Sequence, residues 1–164
     1  MQKEELLSEI NSSTSQLIET LLKVNEEDFN KKNSPESWSV ADVAEHLLIL
    51  ETNVNFAMQK THATERPANL KIEAMKLGLA DMERKFMAPD FVKPTWQLKQ
   101  KNVLITELKK QRDILNQIIL TKELAETSDF KHPVIGSMTI LEWVHFNIFH
   151  TQRHIKQIKT ILLQ

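Results

Sequence analysis

Histidines are the residues of this chain whose type and spacing most suggest chemistry. The sequence contains six histidines and no cysteine, so disulfides and thiolate ligands are excluded and imidazoles are the candidate metal ligands. His150 and His154 are four positions apart in a segment with helical periodicity, so both rings project from one helix face and can reach a common ion. Buried histidines are also often hydrogen-bonded core residues, and the pair alone leaves both interpretations open.

His46 is a third candidate, because it points in the same direction as Val43, Leu50 and Ala57 along a second helical segment. Spacing alone does not place His46 opposite the pair. The predicted inner stripe of the last helix includes His154 near its centre and His150 at its edge, together with Ile140, Val144, Thr151, Ile155, Ile158 and Leu162. Three inward imidazoles are costly unless something satisfies them.

A third inward-facing histidine makes a shared site for one divalent metal ion at His46, His150 and His154 more favourable, and the residues alone leave the metal site and the hydrogen-bonded core histidines both open. Three neutral imidazoles suit Zn²⁺ or Ni²⁺ and leave one coordination position open. Metal binding is expected to weaken as the pH falls through the imidazole range near 6.5.

The other chemistry-bearing residues receive weaker assignments. Asp42, Asn53 and Asn147 lie on the same faces as the three histidines and could orient a ligand, although caps or solvent-exposed groups are the commoner role. The tryptophans at 38, 96 and 143 are expected in the core or in a pocket wall. His62, His132 and His145 are predicted not to bind metal, because they fall near a helix end, in a loop and on the outer margin of a helix face.

Two alternative metal sites are excluded by the motifs. Glu142 and His145 form one E-x-x-H, whereas a di-iron bundle needs two. Thr151 follows His150, so the H-E-x-x-H of zinc proteases is absent.

Four amphipathic segments must position these residues. Apolar residues recur at helical spacing over residues 3–24, 40–62, 95–120 and 140–163. Ser39 with Asp42 and Thr139 with Glu142 mark the starts of the second and fourth helices as capping boxes. The long connection between the second and third helices is expected to hold one short helix within residues 69–87. These features predict an all-α, four-helix bundle of mixed topology, without a sheet of consequence, over a single domain 1–164.

Composition narrows the class of protein. Apolar residues make up 41% and charged residues 26% of the chain, and only two glycines and five prolines are present, which favours a helical globular fold. The net charge is -1 and basic residues alternate with acidic ones, so no nucleic-acid partner is expected. The start resembles no signal peptide and no apolar run approaches about 18 residues, so we expect a soluble, cytoplasmic protein without a membrane partner.

Two ordered motifs resemble those of the DinB/YfiT-like family. Residues 38–47, WSVADVAEHL, are similar to the family pattern W-S-x-x-[ED]-x-x-x-H-L. Residues 132–143, HPVIGSMTILEW, resemble H-P-x-x-G-x-x-T-x-x-E-W, and residues 150–158, HTQRHIKQI, resemble H-x-x-R-H-x-x-Q-I. The similarity spans nearly the whole chain.

This resemblance implies a metal-binding four-helix bundle in which the residues matching His46, His150 and His154 share an ion, and it implies a homodimer. Some relatives are thiol S-transferases that use a low-molecular-weight thiol. Two functions follow: a metal-dependent enzyme, either a transferase or a hydrolase acting on a small-molecule substrate, or a non-catalytic bundle that the metal only stabilises. Three protein ligands favour the enzyme, since structural zinc sites usually have four.

Overall fold

Four long helices dominate the computed structural model, which describes residues 2–164. In chain order the elements are α1 (Gln2–Leu22), α2 (Glu26–Phe29), α3 (Val40–Ala57), β1 (Thr61–His62), α4 (Ile72–Ala80), a 3-10 turn (Asp90–Val92), α5 (Lys101–Thr121), β2 (Thr127–His132), β3 (Gly136–Thr139) and α6 (Ile140–Leu162). The predicted four-helix bundle is confirmed, and α4 is the short helix expected in the long connection.

The apolar core is divided into two clusters, one at each end of the bundle. The strand-side core includes Ile10, Val54, Leu115 and Ile148, whereas the distal core includes Leu17, Leu47, Leu108 and Ile155. On every long helix one polar residue falls within the seven-residue step from one core to the other: Thr14 on α1, Glu51 on α3, Arg112 on α5 and Thr151 on α6. Seven residues are two helical turns, so these four side chains form one polar layer across the bundle.

The same division fixes the helix directions. Helices α1 and α6 run from the strand-side core to the distal core, whereas α3 and α5 run the opposite way. The long helices pack as neighbours in the cyclic order α1, α5, α3, α6. The neighbours α3 and α5 are therefore parallel, and the crossover between them must return along the whole length of the bundle. The predicted mixed topology is confirmed.

Both predicted capping boxes are present. The Ser39 hydroxyl accepts from the backbone N–H of Asp42, whose carboxylate accepts from the N–H of Ser39. Thr139 and Glu142 make the same pair of bonds at the start of α6. Glu142 also accepts from Arg66 at 2.9 Å and from the N–H of Lys71 at 2.9 Å, which ties the crossover to the start of α6.

Helix α3 ends at Ala57, five residues before the predicted end at His62. Thr61 and His62 instead form β1, which pairs with Ser128 and Thr127 of β2. The Ser128 hydroxyl donates to the carbonyl oxygen of Ala57 at 2.6 Å, so a residue far along the chain satisfies the helix end.

A small antiparallel sheet of order β1-β2-β3 accompanies the bundle, and the sequence analysis did not predict it. Its hairpin between β2 and β3 turns at Gly136, whose φ of 79° favours glycine. Strand β3 runs directly into α6 at Thr139, so the sheet fixes where that helix begins.

Helix α5 begins at Lys101 and not at Thr95 as predicted. The carboxylate of Glu45 accepts from the backbone N–H of Thr95 at 2.7 Å. The amide of Asn30 donates to the carbonyl oxygen of Lys99 and accepts from its N–H. These contacts hold residues 95–100 outside the helix.

Two apolar residues predicted to be buried are exposed instead. Trp96 is 81% exposed because it precedes the helix, and Leu162 is exposed at the end of α6. Trp38 is half-buried and Trp143 is buried, as expected of core or pocket-wall residues.

Candidate metal centre

His46, His150 and His154 converge between α3 and α6. The Nε2 atom of His150 lies 3.0 Å from Nε2 of His154 and 3.4 Å from Nε2 of His46. The ligand atoms of all three lie within 4.8 Å of one another. All three side chains are buried, at 4%, 8% and 8% exposure respectively.

The antiparallel packing of α3 and α6 produces this convergence. His46 lies in the second turn of α3, next to Leu47 of the distal core, while His150 and His154 flank Thr151 of the polar layer. Helices α3 and α6 present these histidines on the faces that the sequence analysis assigned to them. The structure thus brings together three residues whose proximity could not be predicted from their spacing along the chain.

Hydrogen bonds at Nδ1 orient two of the three rings. Nδ1 of His46 lies 2.7 Å from the carbonyl oxygen of Val92, and Nδ1 of His154 lies 2.6 Å from the amide oxygen of Gln157. Both oxygens only accept, so each Nδ1 carries the ring proton. Each Nε2 therefore presents a lone pair to the centre of the cluster.

Burial keeps the three imidazoles neutral. Desolvation lowers the pKa of His46, and it lowers the pKa of His154 to about 3. Desolvation lowers the pKa of His150 well below its usual value, and the neighbouring charges of His154, His46, Arg153 and His132 add to this. Protons therefore compete with a metal ion at a lower pH than the 6.5 expected from the sequence.

Aromatic rings and the crossover enclose the cluster. The Trp38 ring lies 5.1 Å from that of His46, and Phe146 stacks on His150 at 5.4 Å. Arg153, next to His154, donates to the carbonyl oxygens of Leu79, Asp81 and Arg84. That side chain fastens the crossover to α6 beside the cluster.

His62, His132 and His145 lie outside the group of three converging histidines. His62 and His132 belong to β1 and β2, and not to a helix end and a loop as predicted. His62 is exposed and pairs with Asp129 at 2.7 Å. His145 stacks on Phe149 and lies 4.0 Å from Glu9. Nδ1 of His132 accepts from the backbone N–H groups of residues 134 and 135.

The sequence analysis suggested Asp42, Asn53 and Asn147 as residues that could orient a ligand, and the structure gives them different surroundings. Asp42 caps α3 and binds Lys99 at 2.6 Å and Lys32 at 3.1 Å, and Asn53 is exposed. Asn147 is buried at 1% exposure.

Sequence reasoning missed Gln157 and Val92. Gln157 lies three residues after His154, a spacing that places it on the same helix face, so it was within reach of a pattern search. The Val92 carbonyl belongs to a 3-10 turn 46 residues after His46, and no sequence signal marks it.

The donor set fits a single divalent ion. Two imidazole nitrogens bound at 2.0–2.1 Å with an angle of 90–110° between them are about 2.8–3.4 Å apart. The two separations from Nε2 of His150, 3.0 and 3.4 Å, match this range, and the ligand atoms of all three rings lie within 4.8 Å of one another. Neutral rings with lone pairs turned inward are the form that metal ligation requires. An open groove of about 730 Å³ runs along α1 and α5 without touching these histidines, so surface concavity alone would have pointed elsewhere.

The family model described as the DinB superfamily matches residues 7–158. The chain belongs to the DinB superfamily. This protein is also 28% identical over 145 residues to the uncharacterized protein YuaE of Bacillus subtilis (strain 168), covering 84% of this chain and 85% of YuaE. The predicted family is confirmed.

Two solved structures show the same fold. The four-helix bundle protein TT2238 matches with a TM-score of 0.62 and 17% identity, over 96% of this chain and 98% of that one. YfiT from Bacillus subtilis, described as a probable metal-dependent hydrolase with an unusual four-helix bundle topology, matches with a TM-score of 0.62 and 13% identity, over 98% and 85%. None of the helices in residues 2–164 has both the length and the apolar character of a membrane span. That the whole chain forms a single domain stays a prediction.

Proposed function

We propose that this member of the DinB superfamily binds one divalent metal ion, Zn²⁺ or Ni²⁺, through Nε2 of His46, His150 and His154, and that it is a metal-dependent hydrolase of a small-molecule substrate. One observation carries the proposal. Three neutral, buried imidazoles converge to Nε2 separations of 3.0 and 3.4 Å, and hydrogen bonds at Nδ1 turn at least two lone pairs into the space between them.

The number of ligands supports chemistry over a purely structural role. Three protein ligands leave a coordination position for water or substrate, whereas structural zinc sites usually have four. A divalent ion with such a position lowers the pKa of a bound water or thiol, which makes it nucleophilic near neutral pH. The non-catalytic bundle remains the alternative, and it predicts binding of metal without turnover.

The chain's own residues would bind the ion and exclude bulk water. Trp38 and Phe146 provide apolar walls against His46 and His150. Among residues 2–164 no carboxylate hydrogen-bonds to the three histidines, and the nearby Asp42 and Glu45 are engaged by Lys99. No side-chain base is therefore assigned, and proton transfer would rely on solvent.

Hydrolysis is favoured over thiol transfer because YfiT, which shares the fold, is described as a probable hydrolase. Thiol S-transfer with a low-molecular-weight thiol is implied only by the resemblance of the motifs. The homodimer likewise stays a prediction, and sedimentation at micromolar concentration tests it.

Elemental analysis of single variants tests the metal site. Wild type, His46→Ala, His150→Ala, His154→Ala and the control His145→Ala are dialysed together against trace Zn²⁺ or Ni²⁺. Wild type and His145→Ala should retain about one ion per chain, and the other three should retain little. Equal retention by wild type and His154→Ala would exclude the proposed site.

Activity assays then separate the candidate functions. The metal-loaded protein is offered ester, amide and phosphoester probes, with and without an added thiol. Turnover that disappears with a chelator and needs no thiol supports the hydrolase. Turnover only with the thiol would favour the transferase, and metal retention without any turnover would favour the non-catalytic bundle.

A further inference from the structure

The three histidines of the cluster differ in how Nδ1 is satisfied. His46 donates from Nδ1 to the Val92 carbonyl and His154 donates to the Gln157 amide oxygen. Nδ1 of His150 is buried, and no hydrogen-bond partner for it exists among residues 2–164. A ligating His150 needs its proton on Nδ1, where an acceptor would stabilise it.

Asn147 is a second buried side chain without a hydrogen-bond partner among the described residues. Its side chain is 1% exposed, and among the described residues neither its amide oxygen nor its amide nitrogen has a hydrogen-bond partner. Leaving a polar group buried and unsatisfied is expensive. A hydrogen bond to a second unsatisfied group would remove this cost.

The helix brings these two side chains to neighbouring positions on one face, because Asn147 lies three residues before His150 on α6. Long side chains on a helix lean toward its N-terminus, so the His150 ring lies over the turn that contains Phe146 and Asn147. The stacking of Phe146 on His150 at 5.4 Å and 26° agrees with this direction.

We propose that Asn147 is the positioning residue of His150: its amide oxygen accepts the Nδ1 proton, directly or through one water molecule, and so keeps Nε2 free for the metal ion. The proposal rests on the metal site proposed above. It completes a pattern in which each histidine of the site has its own acceptor at Nδ1. The acceptors are a carbonyl from the crossover for His46 and side chains three residues away on α6 for the other two.

Removing the acceptor should move the proton of His150. In Asn147→Leu, Nδ1 has no acceptor, whereas a proton on Nε2 can be donated to Nε2 of His154, 3.0 Å away. The metal-free variant should therefore hold His150 as the Nε2–H tautomer, while wild type and Asn147→Asp hold the Nδ1–H tautomer. Zn²⁺ affinity should fall about 10- to 100-fold in Asn147→Leu and change little in Asn147→Asp, as expected for loss and rescue of a partner behind a ligand.

Long-range ¹H–¹⁵N NMR of histidine-labelled protein reads the tautomers directly, with His150→Gln to assign the signals. Asn55→Leu is the matched control, because Asn55 is a buried asparagine on α3 that binds Gln111 and not a histidine. Asn147→Ala replaces Asn147→Leu if the leucine variant does not fold. A His150 tautomer that is the same in wild type and in the folded apolar variant would overturn the proposal.

The tautomer is measured without metal, so its outcome is independent of the proposed function. A tautomer switch in a protein that never binds Zn²⁺ or Ni²⁺ would support the Asn147–His150 contact and refute the metal site. Normal metal retention without a switch would support the metal site and refute the role of Asn147.

Discussion

Two clusters of buried polar side chains, the polar layer and the histidine cluster, lie side by side in this bundle. Their hydrogen-bonding groups are matched in opposite ways. In the polar layer, Arg112 donates to Glu51 at 3.0 Å through Nε and to Thr151 at 2.7 Å through Nη2, and its Nη1 reaches Thr14 at 3.4 Å. Donors there meet acceptors. In the histidine cluster, by contrast, at least two acceptors lie together, because His46 and His154 both turn lone pairs inward.

The contrast distinguishes a structural group from a candidate ligand site. A buried network in which opposite charges and hydrogen-bonding groups match needs nothing further and specifies how the helices pack. A set of converging lone pairs is an arrangement that a cation would satisfy. The bundle therefore has one polar region completed by the protein and one that an ion would complete.

The largest expected effect comes from breaking the polar layer. Burial raises the pKa of Glu51, and the guanidinium of Arg112 opposes that rise. Arg112→Met leaves the carboxylate buried without its partner and should lower the free energy of unfolding by about 3–5 kcal/mol. Urea denaturation of the metal-free protein measures it.

The double variant Glu51→Leu with Arg112→Met removes both charges and should recover most of the lost stability. If Arg112→Met alone lost less than about 1 kcal/mol, the polar layer would not be the structural element described here.

A smaller effect is expected from the histidine cluster, and it should depend on metal. Zn²⁺ at 100 times its dissociation constant should stabilise wild type by about 2.7 kcal/mol, and His154→Ala should abolish that gain because one of three ligands is lost. Without metal, His154→Ala should differ from wild type by no more than about 1 kcal/mol. Thermal or urea unfolding with and without Zn²⁺ gives both values. A metal-independent loss as large as that of Arg112→Met would make the cluster a second structural network.

The smallest effect expected is a dependence of stability on pH. The pKa of His154 is about 3 in the folded protein and about 6.5 in the unfolded chain. Below pH 6.5 the unfolded state binds this proton and the folded state does not. The contribution of His154 to stability is therefore fully present above pH 6.5 and is lost as the pH drops toward 3. This residue alone should lower the free energy of unfolding by about 1 kcal/mol between pH 6.5 and 5.5.

Urea titrations of the metal-free protein at both pH values test this, with His154→Leu expected to show a smaller loss than wild type. An equal loss in both proteins would assign the acid sensitivity to other groups.

The helices and ligand faces were predictable because they depend on local periodicity. The capping boxes at Ser39 and Thr139 placed the starts of α3 and α6 correctly, and those two starts set the rotation of the faces that carry the histidines. The distance between the faces was not predictable, because it depends on the antiparallel packing of α3 and α6.

The wrong helix ends and the unpredicted sheet have one cause, which is contact with residues far away in the sequence. Residues 95–100 contain no helix breaker after Pro94, yet Glu45 and Asn30 hold their backbone outside α5. Thr61 is drawn into a strand by Ser128, 67 positions further on. Local sequence patterns carry no information about such partners, so helix ends and the small sheet required the structure.

The positions of the histidines along the chain give the cluster a further property. His150 and His154 are 4 residues apart, whereas His46 and His150 are separated by 104. Closing the longer loop costs about 3 kcal/mol more chain entropy than closing the shorter one. An ion captured during folding would therefore meet the local pair first, once α6 forms, and would gain His46 only after the bundle assembles. Occupancy by all three ligands would then act as a reversible cross-link between the first and last thirds of the chain.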